Sequence, residues 1–400
     1  MTTIYVHVFV HASLQTAYRA FTRSTSLREW LCDVATVDPR PNGRIYLWWN
    51  GDIYSSGQYI EAVENARVKF RWFSNIDPAP TEVNVRFTEK DGGVNIQLEH
   101  EVPDDEAWKN KVDGFRQNWE ESFENLKSVL ETGVDLRIAN RPMLGIFPGD
   151  FTPEQAHALG IPVTEGLRLD GVVDGMGAQK AGLQKNDVLV EFGGQTIDNS
   201  PSSFASALAG KKGGETVKVS FYRGAEKKTV AMELGKRSMP SVPFDRTELE
   251  KRGREIYRSA FAELEKCFAG FTDEQAMKPP APSEWSALET AAHLLQGERF
   301  NIMMLTSLID GYEPVTDGFD TNIHAQVQAA VRTNPSIDLM LGLLRRTADE
   351  FLAFISLIPD EFIANKGSYY RFFGFGLLQP NFHLTAHIQQ IKNALNAAKQ

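Results

Sequence analysis

Cysteine is nearly absent from this 400-residue chain, which contains only two such residues. Cys32 and Cys267 lie far apart in the sequence, so we expect no disulfide framework, and a reducing compartment fits the chain best. The first residues enter a strand pattern directly, without a basic stretch and a long apolar core, so we expect no signal peptide. The sequence therefore predicts a cytoplasmic protein.

Long apolar runs and clusters of positive charge are also missing. No apolar run approaches the length of a bilayer span, so we expect no membrane span. The formal net charge of -10 and the lack of a basic arm argue against nucleic acid and anionic membranes as main partners. The chain is 42% hydrophobic and 24% charged, which is typical of globular proteins, and its length predicts several domains.

The patterns of apolar and polar residues in 1–133 predict an antiparallel sheet that is covered on one side by helices. Residues 4–10 form a strand pattern, and Ser13 is a candidate N-cap for the helix that follows. Alternation of apolar and polar residues is clean over 83–87 and 94–98, as in strands with one buried face. Apolar residues at steps of three and four then predict one long helix from about Asp104 to Thr132.

This order of elements resembles the START-like (SRPBCC) ligand-binding superfamily. The ending GFRQNWEESFENLK at 114–127 looks like the branch related to activators of the Hsp90 ATPase. The resemblance implies a helix-grip fold whose sheet curls around the long helix and encloses a cavity for a small apolar molecule. The candidate lining residues are Trp49, Phe70, Trp72, Phe87 and Leu98. The alternative, which we favour for most of them, is that these large side chains fill the core.

Residues 137–237 contain the segment AGLQKNDVLVEFGG at 181–194. This segment and the strand patterns around it resemble a PDZ domain in the circularly permuted arrangement of bacterial proteases. The resemblance implies a β domain in which Leu144, Gly145 and Ile146 form a carboxylate-binding loop for the C-terminus of a protein. It also implies that Phe204 and Leu208 face the groove from a helix over 201–208. The alternative is a PDZ scaffold that packs against its neighbours and binds no peptide.

Helical patterns replace strand patterns from residue 243 to residue 400. We expect helices over about 245–267, from 286 past 304, over 336–357 and over 380–398, and hence an all-α four-helix bundle. Ser286 and Glu289 have the form of a capping box at the start of the second helix. His383 and His387 lie four residues apart in the fourth helix, which predicts that both project from one face.

Two imidazoles one turn apart can share a metal ion if a third ligand comes from elsewhere, and His293 is the best upstream candidate. Taken alone, such a pair is more often part of a packed or solvated helix face. The segments SEWSALETAAHLLQGE at 283–298 and HLTAHIQQI at 383–391, however, resemble the DinB family, which includes the YfiT-like thiol transferases. The resemblance implies that His293, His383 and His387 are the metal ligands.

Three neutral histidines suit a divalent ion, zinc or nickel above all, and leave a position for water or substrate. A thiol bound there would lose its proton, which makes a low-molecular-weight thiol a coherent substrate. Glu298, Arg299 and Arg371 are additional candidates near the site, although a solvated surface explains the first two equally well. The sequence identifies no catalytic residue.

The complete interpretation is a multidomain α+β chain, with a START-like domain at 1–133, a PDZ-like domain at 137–237 and a DinB-like bundle at 243–400. Its predicted function is that of a metal-dependent thiol transferase or hydrolase-like enzyme with accessory domains for a small ligand and a peptide. Two non-catalytic alternatives remain, a stress-response adaptor and a carrier of apolar small molecules.

Overall fold

The computed structural model describes residues 1–50, 53–282, 284–314, 323–379 and 382–399. Two antiparallel sheets come first, and helices follow them. The predicted fold class, a multidomain α+β chain with a helical C-terminal domain, is confirmed. No helix among these residues is long and apolar enough to cross a membrane.

The N-terminal domain is a seven-stranded antiparallel sheet in the order β1-β7-β6-β5-β4-β3-β2. Its strands are β1 (Thr2–Val10), β2 (Val34–Val37), β3 (Arg44–Trp49), β4 (Ile53–Val63), β5 (Arg67–Ser74), β6 (Thr81–Lys90) and β7 (Gly93–Val102). Its helices are α1 (Leu14–Thr22), α2 (Ser24–Trp30), α3 (Glu106–Lys109) and α4 (Val112–Thr132). The predicted cap of α1 is confirmed, because the Ser13 side chain accepts a hydrogen bond from the amide of Thr16.

The long helix of this domain is shorter than its sequence pattern indicates. We expected one helix from about Asp104, but the chain forms the short α3, turns at Asn110 and Lys111, and only then enters α4. Trp108 explains the break. It lies on the short helix α3, and from there its side chain is buried in the core of the domain. Helix α4 ends at Gly133, whose φ of 77° is the left-handed conformation of a C-cap glycine.

The middle domain is built on a second antiparallel sheet in the order β13-β12-β10-β9-β8, with β11 paired to β10. Its strands are β8 (Ile146–Gly149), β9 (Leu167–Val172), β10 (Val188–Phe192), β11 (Gln195–Thr196), β12 (Thr216–Arg223) and β13 (Glu226–Glu233). Its helices are α5 (Leu136–Ala139), α6 (Pro153–Leu159), α7 (Gly177–Lys180) and α8 (Pro201–Leu208). Asp187 of the sequence motif is fully buried and accepts hydrogen bonds from the Arg223 guanidinium and the Gln184 amide, all at 2.8 Å.

The C-terminal domain packs α9, α11, α13 and the α16–α17 pair around one apolar core. Its helices are α9 (Arg246–Phe268), α10 (Asp273–Met277), α11 (Ala287–Ile309), α12 (Ile323–Thr333), α13 (Ile337–Ser356), α14 (Asp360–Ala364), α15 (Lys366–Phe372), α16 (His383–Ala386) and α17 (Ile388–Ala397), with a π-helical turn at Phe373–Leu377. The predicted capping box of α11 is confirmed by reciprocal hydrogen bonds between Ser286 and Glu289.

The fourth predicted helix is not continuous. We expected it to run from Pro380, which lies outside the described residues, to Ala398. The structure instead has a turn at His387, which separates α16 from α17. Helix α15 and the π-helical turn, which the sequence pattern did not predict, come before it. Helix α15 packs against α2 and α4 of the N-terminal domain, so the first and third domains are in direct contact.

Candidate metal centre

The three predicted histidines converge in the C-terminal bundle. His293 projects from α11, His383 opens α16, and His387 occupies the turn after it. One ring nitrogen from each lies within 4.8 Å of the other two, and the three ring centroids are 4.9 to 5.0 Å apart. All three side chains are half-buried. His383 and His387 thus lie side by side although no single helix contains both.

Local packing fixes two of these rings. The Trp285 ring lies 5.1 Å from the ring of His293 and borders it at the start of α11. Gly297, one turn after His293, leaves space for the ring of His383, because a Cβ atom there would lie 2.7 Å from its Nδ1. The glycine therefore allows the α16 segment to lie close against α11.

The third ring is oriented by a neighbouring amide. Nδ1 of His387 lies 2.8 Å from Oε1 of Gln390, and an amide oxygen only accepts. Nδ1 therefore carries the proton, which leaves the lone pair of Nε2 free for a metal ion. Our sequence reasoning missed Gln390, although its position three residues after a histidine in a helical pattern was a usable signal.

The electrostatics of the cluster favour neutral imidazoles. Burial, together with the neighbouring His293 and His387, lowers the pKa of His383 to about 4. Burial and the nearby His387 also lower the pKa of His293. At neutral pH both rings are therefore uncharged, which is the form that binds a metal ion.

This donor set fits a divalent ion. Nε2 of His293 and Nε2 of His383 are 3.1 Å apart, and Zn–N bonds of about 2.0–2.1 Å in a tetrahedral site place ligand nitrogens about 3.3 Å apart. Nδ1 of His293 is buried without a hydrogen-bond partner among the described residues. Within the part of the chain that the structure describes, the cluster consists of three half-buried imidazoles and no carboxylate, a donor set that suits zinc and nickel.

A cavity of about 520 Å³ lies near the cluster, although none of the three histidines lines it. Its walls include Trp285, which borders His293, and Gln390, which holds His387. The other lining residues are Pro280, Glu284, Asn393 and Ala394. A small molecule in this cavity would therefore contact the side chains that orient two of the histidines.

The additional candidates lie elsewhere. Glu298 is fully buried, so a solvated face does not explain it; the Tyr257 hydroxyl donates to its carboxylate, and burial raises its pKa to about 7. Arg299 is exposed. Arg371 pairs with Glu313 at 2.7 Å, on the side of the bundle that faces the N-terminal domain. His324, which matches no ligand position, is exposed on α12.

The N-terminal domain contains a cavity of about 590 Å³ between the sheet and α4. Two of the five predicted lining residues, Trp49 and Trp72, border it together with Trp30, Phe115 and Trp119. The other three, Phe70, Phe87 and Leu98, are buried in the core and do not line this cavity, as the alternative interpretation expected.

The predicted peptide-binding residues lie on two elements of the middle domain, the segment that enters β8 and helix α8, whose main strand contacts are with β10 and β11. Leu144, Ile146, Phe204 and Leu208 pack on the same apolar core, and β8 is an edge strand. Gly145 has a φ of 75°, which turns the chain into β8. Within the described residues, the amides of Leu144 and Gly145 donate no hydrogen bond, whereas their carbonyls accept from Ala178 and Val173.

Family profiles match the chain in three consecutive parts. Residues 11–131 match "Activator of Hsp90 ATPase homolog 1-like protein", residues 133–234 match "PDZ domain", and residues 256–391 match "DinB superfamily". The chain joins an Hsp90-activator-like (START-like) domain, a PDZ domain and a DinB-like domain. The predicted resemblances are therefore confirmed in identity and in order.

Curated relatives match a smaller part of the chain. A probable periplasmic serine endoprotease DegP-like from Marinomonas sp. (strain MWYL1) is 26% identical over 164 residues, which are 40% of this chain and 35% of that protein. A protein of the same description from Rhizobium meliloti (strain 1021) is 26% identical over 115 residues, or 29% of this chain and 22% of that protein. The chain spans about a third or less of these relatives.

Two solved structures resemble the chain over about one third of its length. The Aha1 dimer from Colwellia psychrerythraea is 18% identical and covers 33% of this chain and 97% of its own, with a TM-score of 0.30. An HSP90 activator from Plasmodium falciparum is also 18% identical and covers 32% of this chain and 96% of its own, with a TM-score of 0.29.

Proposed function

We propose that the DinB-like domain binds one divalent metal ion, zinc or nickel, through His293, His383 and His387, and acts on a low-molecular-weight thiol. The observation that carries this proposal is the convergence of three ring nitrogens within 4.8 Å from segments ninety residues apart in sequence. When bound, a divalent ion lowers the pKa of a coordinated thiol, so that the thiolate forms at neutral pH.

The protein side chains orient the ligands and shape the space beside them. Gln390 holds the proton of His387 on Nδ1, and Trp285 packs beside His293. Both also line the nearby cavity, which is large enough for a small thiol and is bounded by the side chains that contact two of the three histidines. In this proposal the sulfur of the deprotonated thiol bonds to an electrophilic carbon of an acceptor, and the group that this carbon releases takes up the thiol's proton.

Cobalt substitution tests the thiol assignment. We expect the cobalt-loaded full chain to develop a sulfur-to-metal charge-transfer band with cysteine and not with serine, since only the thiol side chain supplies a sulfur ligand. His383→Ala should abolish the band, whereas His324→Ala, which removes an exposed histidine of the same domain, should preserve it. A cobalt-loaded wild-type chain that shows no band with cysteine would rule out the thiol proposal.

We propose as a second function that the PDZ domain captures a protein C-terminus. The support is that β8 is an edge strand and that, within the described residues, the backbone amides of Leu144 and Gly145 beside it donate no hydrogen bond. This arrangement suits a terminal carboxylate and an added strand. A fluorescent peptide library should contain binders that lose affinity when their C-terminus is amidated. If amidation leaves every affinity unchanged, carboxylate capture is incorrect and the scaffold alternative is preferred.

The START-like cavity supports a third binding activity, for a small apolar molecule between Trp49, Trp72 and Trp119. Native mass spectrometry of the full chain should then show a bound ligand after incubation with an apolar library, and an unchanged mass throughout would contradict the carrier alternative.

We also propose a cytoplasmic location, because Cys32 and Cys267 are free, buried thiols. Cell fractionation with a tagged chain tests that location.

A further inference from the structure

Helix α2 of the START-like domain contacts two different parts of the molecule. Trp30 at its end, and Leu31 just after it, line the START-like cavity. Arg28 and Glu29 point instead to the DinB-like domain, where their partners are Glu313 and Ser368. The same short helix therefore separates the cavity from the domain interface.

The contact between α2 and α15 is closely packed. The Ser368 hydroxyl donates a hydrogen bond to the Glu29 carboxylate, which is only 5 % exposed. A Cβ atom on Gly367 would overlap the carboxylate of Glu29 and lie 2.9 Å from Cγ1 of Val129, so a larger residue there would displace these side chains of the N-terminal domain. Lys366 adds a hydrogen bond of 2.7 Å to the carbonyl of Glu131 at the end of α4.

A second contact reaches the end of α11. Glu313, four residues beyond this helix, pairs with Arg28 at 2.8 Å and with Arg371 of α15 at 2.7 Å. These side chains are mostly buried, with 17 to 29 % of their side-chain surface exposed, so solvent screens them less than a surface pair. Arg28 thus connects the START-like domain to α11 and α15 through one carboxylate.

Both of these segments lead to the histidine cluster. Helix α11 carries His293, and α15 is followed by the π-helical turn and then by α16, which begins with His383. Single π-helical turns occur frequently at functional sites. Ligands in a metal site must be held to within about 0.5 Å, so displacement of either segment changes the site.

We propose that docking of α2 onto α15 and onto Glu313, in the segment that follows α11, holds the histidine cluster in its metal-binding geometry, so that the START-like domain controls metal affinity. This inference rests on the proposed metal site and adds its regulation. The interface side chains do not touch the histidines, so their effect is positional.

Two interface variants of the full chain test the inference, with zinc affinity measured by competition with a chromophoric chelator. Gly367→Ala inserts a methyl group between the domains, and Arg28→Ala removes the link to Glu313 without adding bulk. Gly376→Ala is the control for the glycine change, because a Cβ atom there has open space in the same segment. Arg67→Ala is the control for the arginine change, because its ion pair with Glu61 lies within the START-like sheet.

We expect each interface variant to weaken zinc binding by about fivefold or more, the lower end of typical coupling between sites, and each control to stay within about twofold of wild type. Circular dichroism checks that helix content is kept, and Arg28→Ala decides the question if Gly367→Ala misfolds. Wild-type zinc affinity in the folded interface variants would overturn this inference alone. A wild-type chain that takes up no zinc would overturn the proposed metal site and this inference with it.

Discussion

At the scale of single residues, His100 joins the two layers of the START-like domain. Its ring is fully buried, accepts a hydrogen bond from Nε1 of Trp119 on α4 at 3.1 Å, and donates through Nε2 to the Thr81 hydroxyl on β6 at 2.7 Å. Burial lowers the pKa of His100 from 6.5 to about 4. The sequence does not predict this role of His100, because no local pattern marks a contact between a sheet and a distant helix.

We predict that acid destabilises this domain through His100. The folded-state pKa lies below the unfolded value of 6.5, so the unfolded chain binds the extra proton as the pH falls. The contribution of neutral His100 to the free energy of unfolding is complete above pH 6.5 and is lost as the pH falls towards 4. The loss reaches about 3 kcal/mol, at 1.36 kcal/mol per pKa unit. Urea unfolding at pH 7, 5 and 4 by tryptophan fluorescence measures it, since six of the seven tryptophans lie in this domain.

His100→Gln is the matched variant, because it keeps a donor and an acceptor but cannot titrate. Its urea midpoint should depend less on pH between 6.5 and 4 than that of the wild type. Equal pH dependence in the two proteins would mean that other groups cause the acid effect.

The sequence predicted that the three histidines come together, but it did not predict the residues that pack against them. His383 and His387 stand out by their spacing, and the surrounding motif adds His293. The role of Gly297 depends on where the ring of His383 lies, a contact between residues far apart in sequence. The same limit applies to Trp49 and Trp72, which border a cavity, and to Phe70, which does not. All three have the same apolar pattern in sequence.

At the scale of elements, the start of α11 positions His293. The Ser286 hydroxyl accepts from the Glu289 amide at 3.1 Å, and the Glu289 carboxylate accepts from the Ser286 amide at 2.8 Å. Trp285 and His293 lie on either side of this cap. Because Ser286 is almost fully buried, loss of its cap affects both the helix and the site.

We predict that Ser286→Ala lowers stability by about 1 kcal/mol, the usual cost of losing an N-cap side chain, and also weakens zinc binding. Ser336→Ala removes the equivalent cap of α13, whose hydroxyl accepts from the Leu339 amide at 3.2 Å, and should cost similar stability with unchanged zinc affinity. Thermal unfolding followed by circular dichroism measures the first effect, and chelator competition the second. Equal zinc affinity in the two variants would show that this cap does not position the site.

The sequence predicted the ends of helices where a local cap sets them. It did not predict them where packing between distant segments sets them. Ser13 and Ser286 begin helices as predicted, because a serine hydroxyl and the next turn of backbone suffice. The break at His387 and the π-helical turn after α15 have no such local signal. The break at His387 lies where α16 and α17 pack against α9 and α11.

At the scale of the whole molecule, three resemblances predicted the domains and their order but not their contacts. Ser368 and Glu29 are 339 residues apart and belong to different families of domain, so neither family pattern contains their hydrogen bond. The interface makes the START-like domain part of the support of the histidine cluster.

The metal content of the purified full chain tests the central claim most directly. After loading with zinc and removal of free ion, elemental analysis should find about one zinc per wild-type chain, because one cluster of three histidines supplies one site. His324→Ala should retain this content, and His383→Ala should fall to background. Background zinc and nickel in the loaded wild-type chain would contradict the claim.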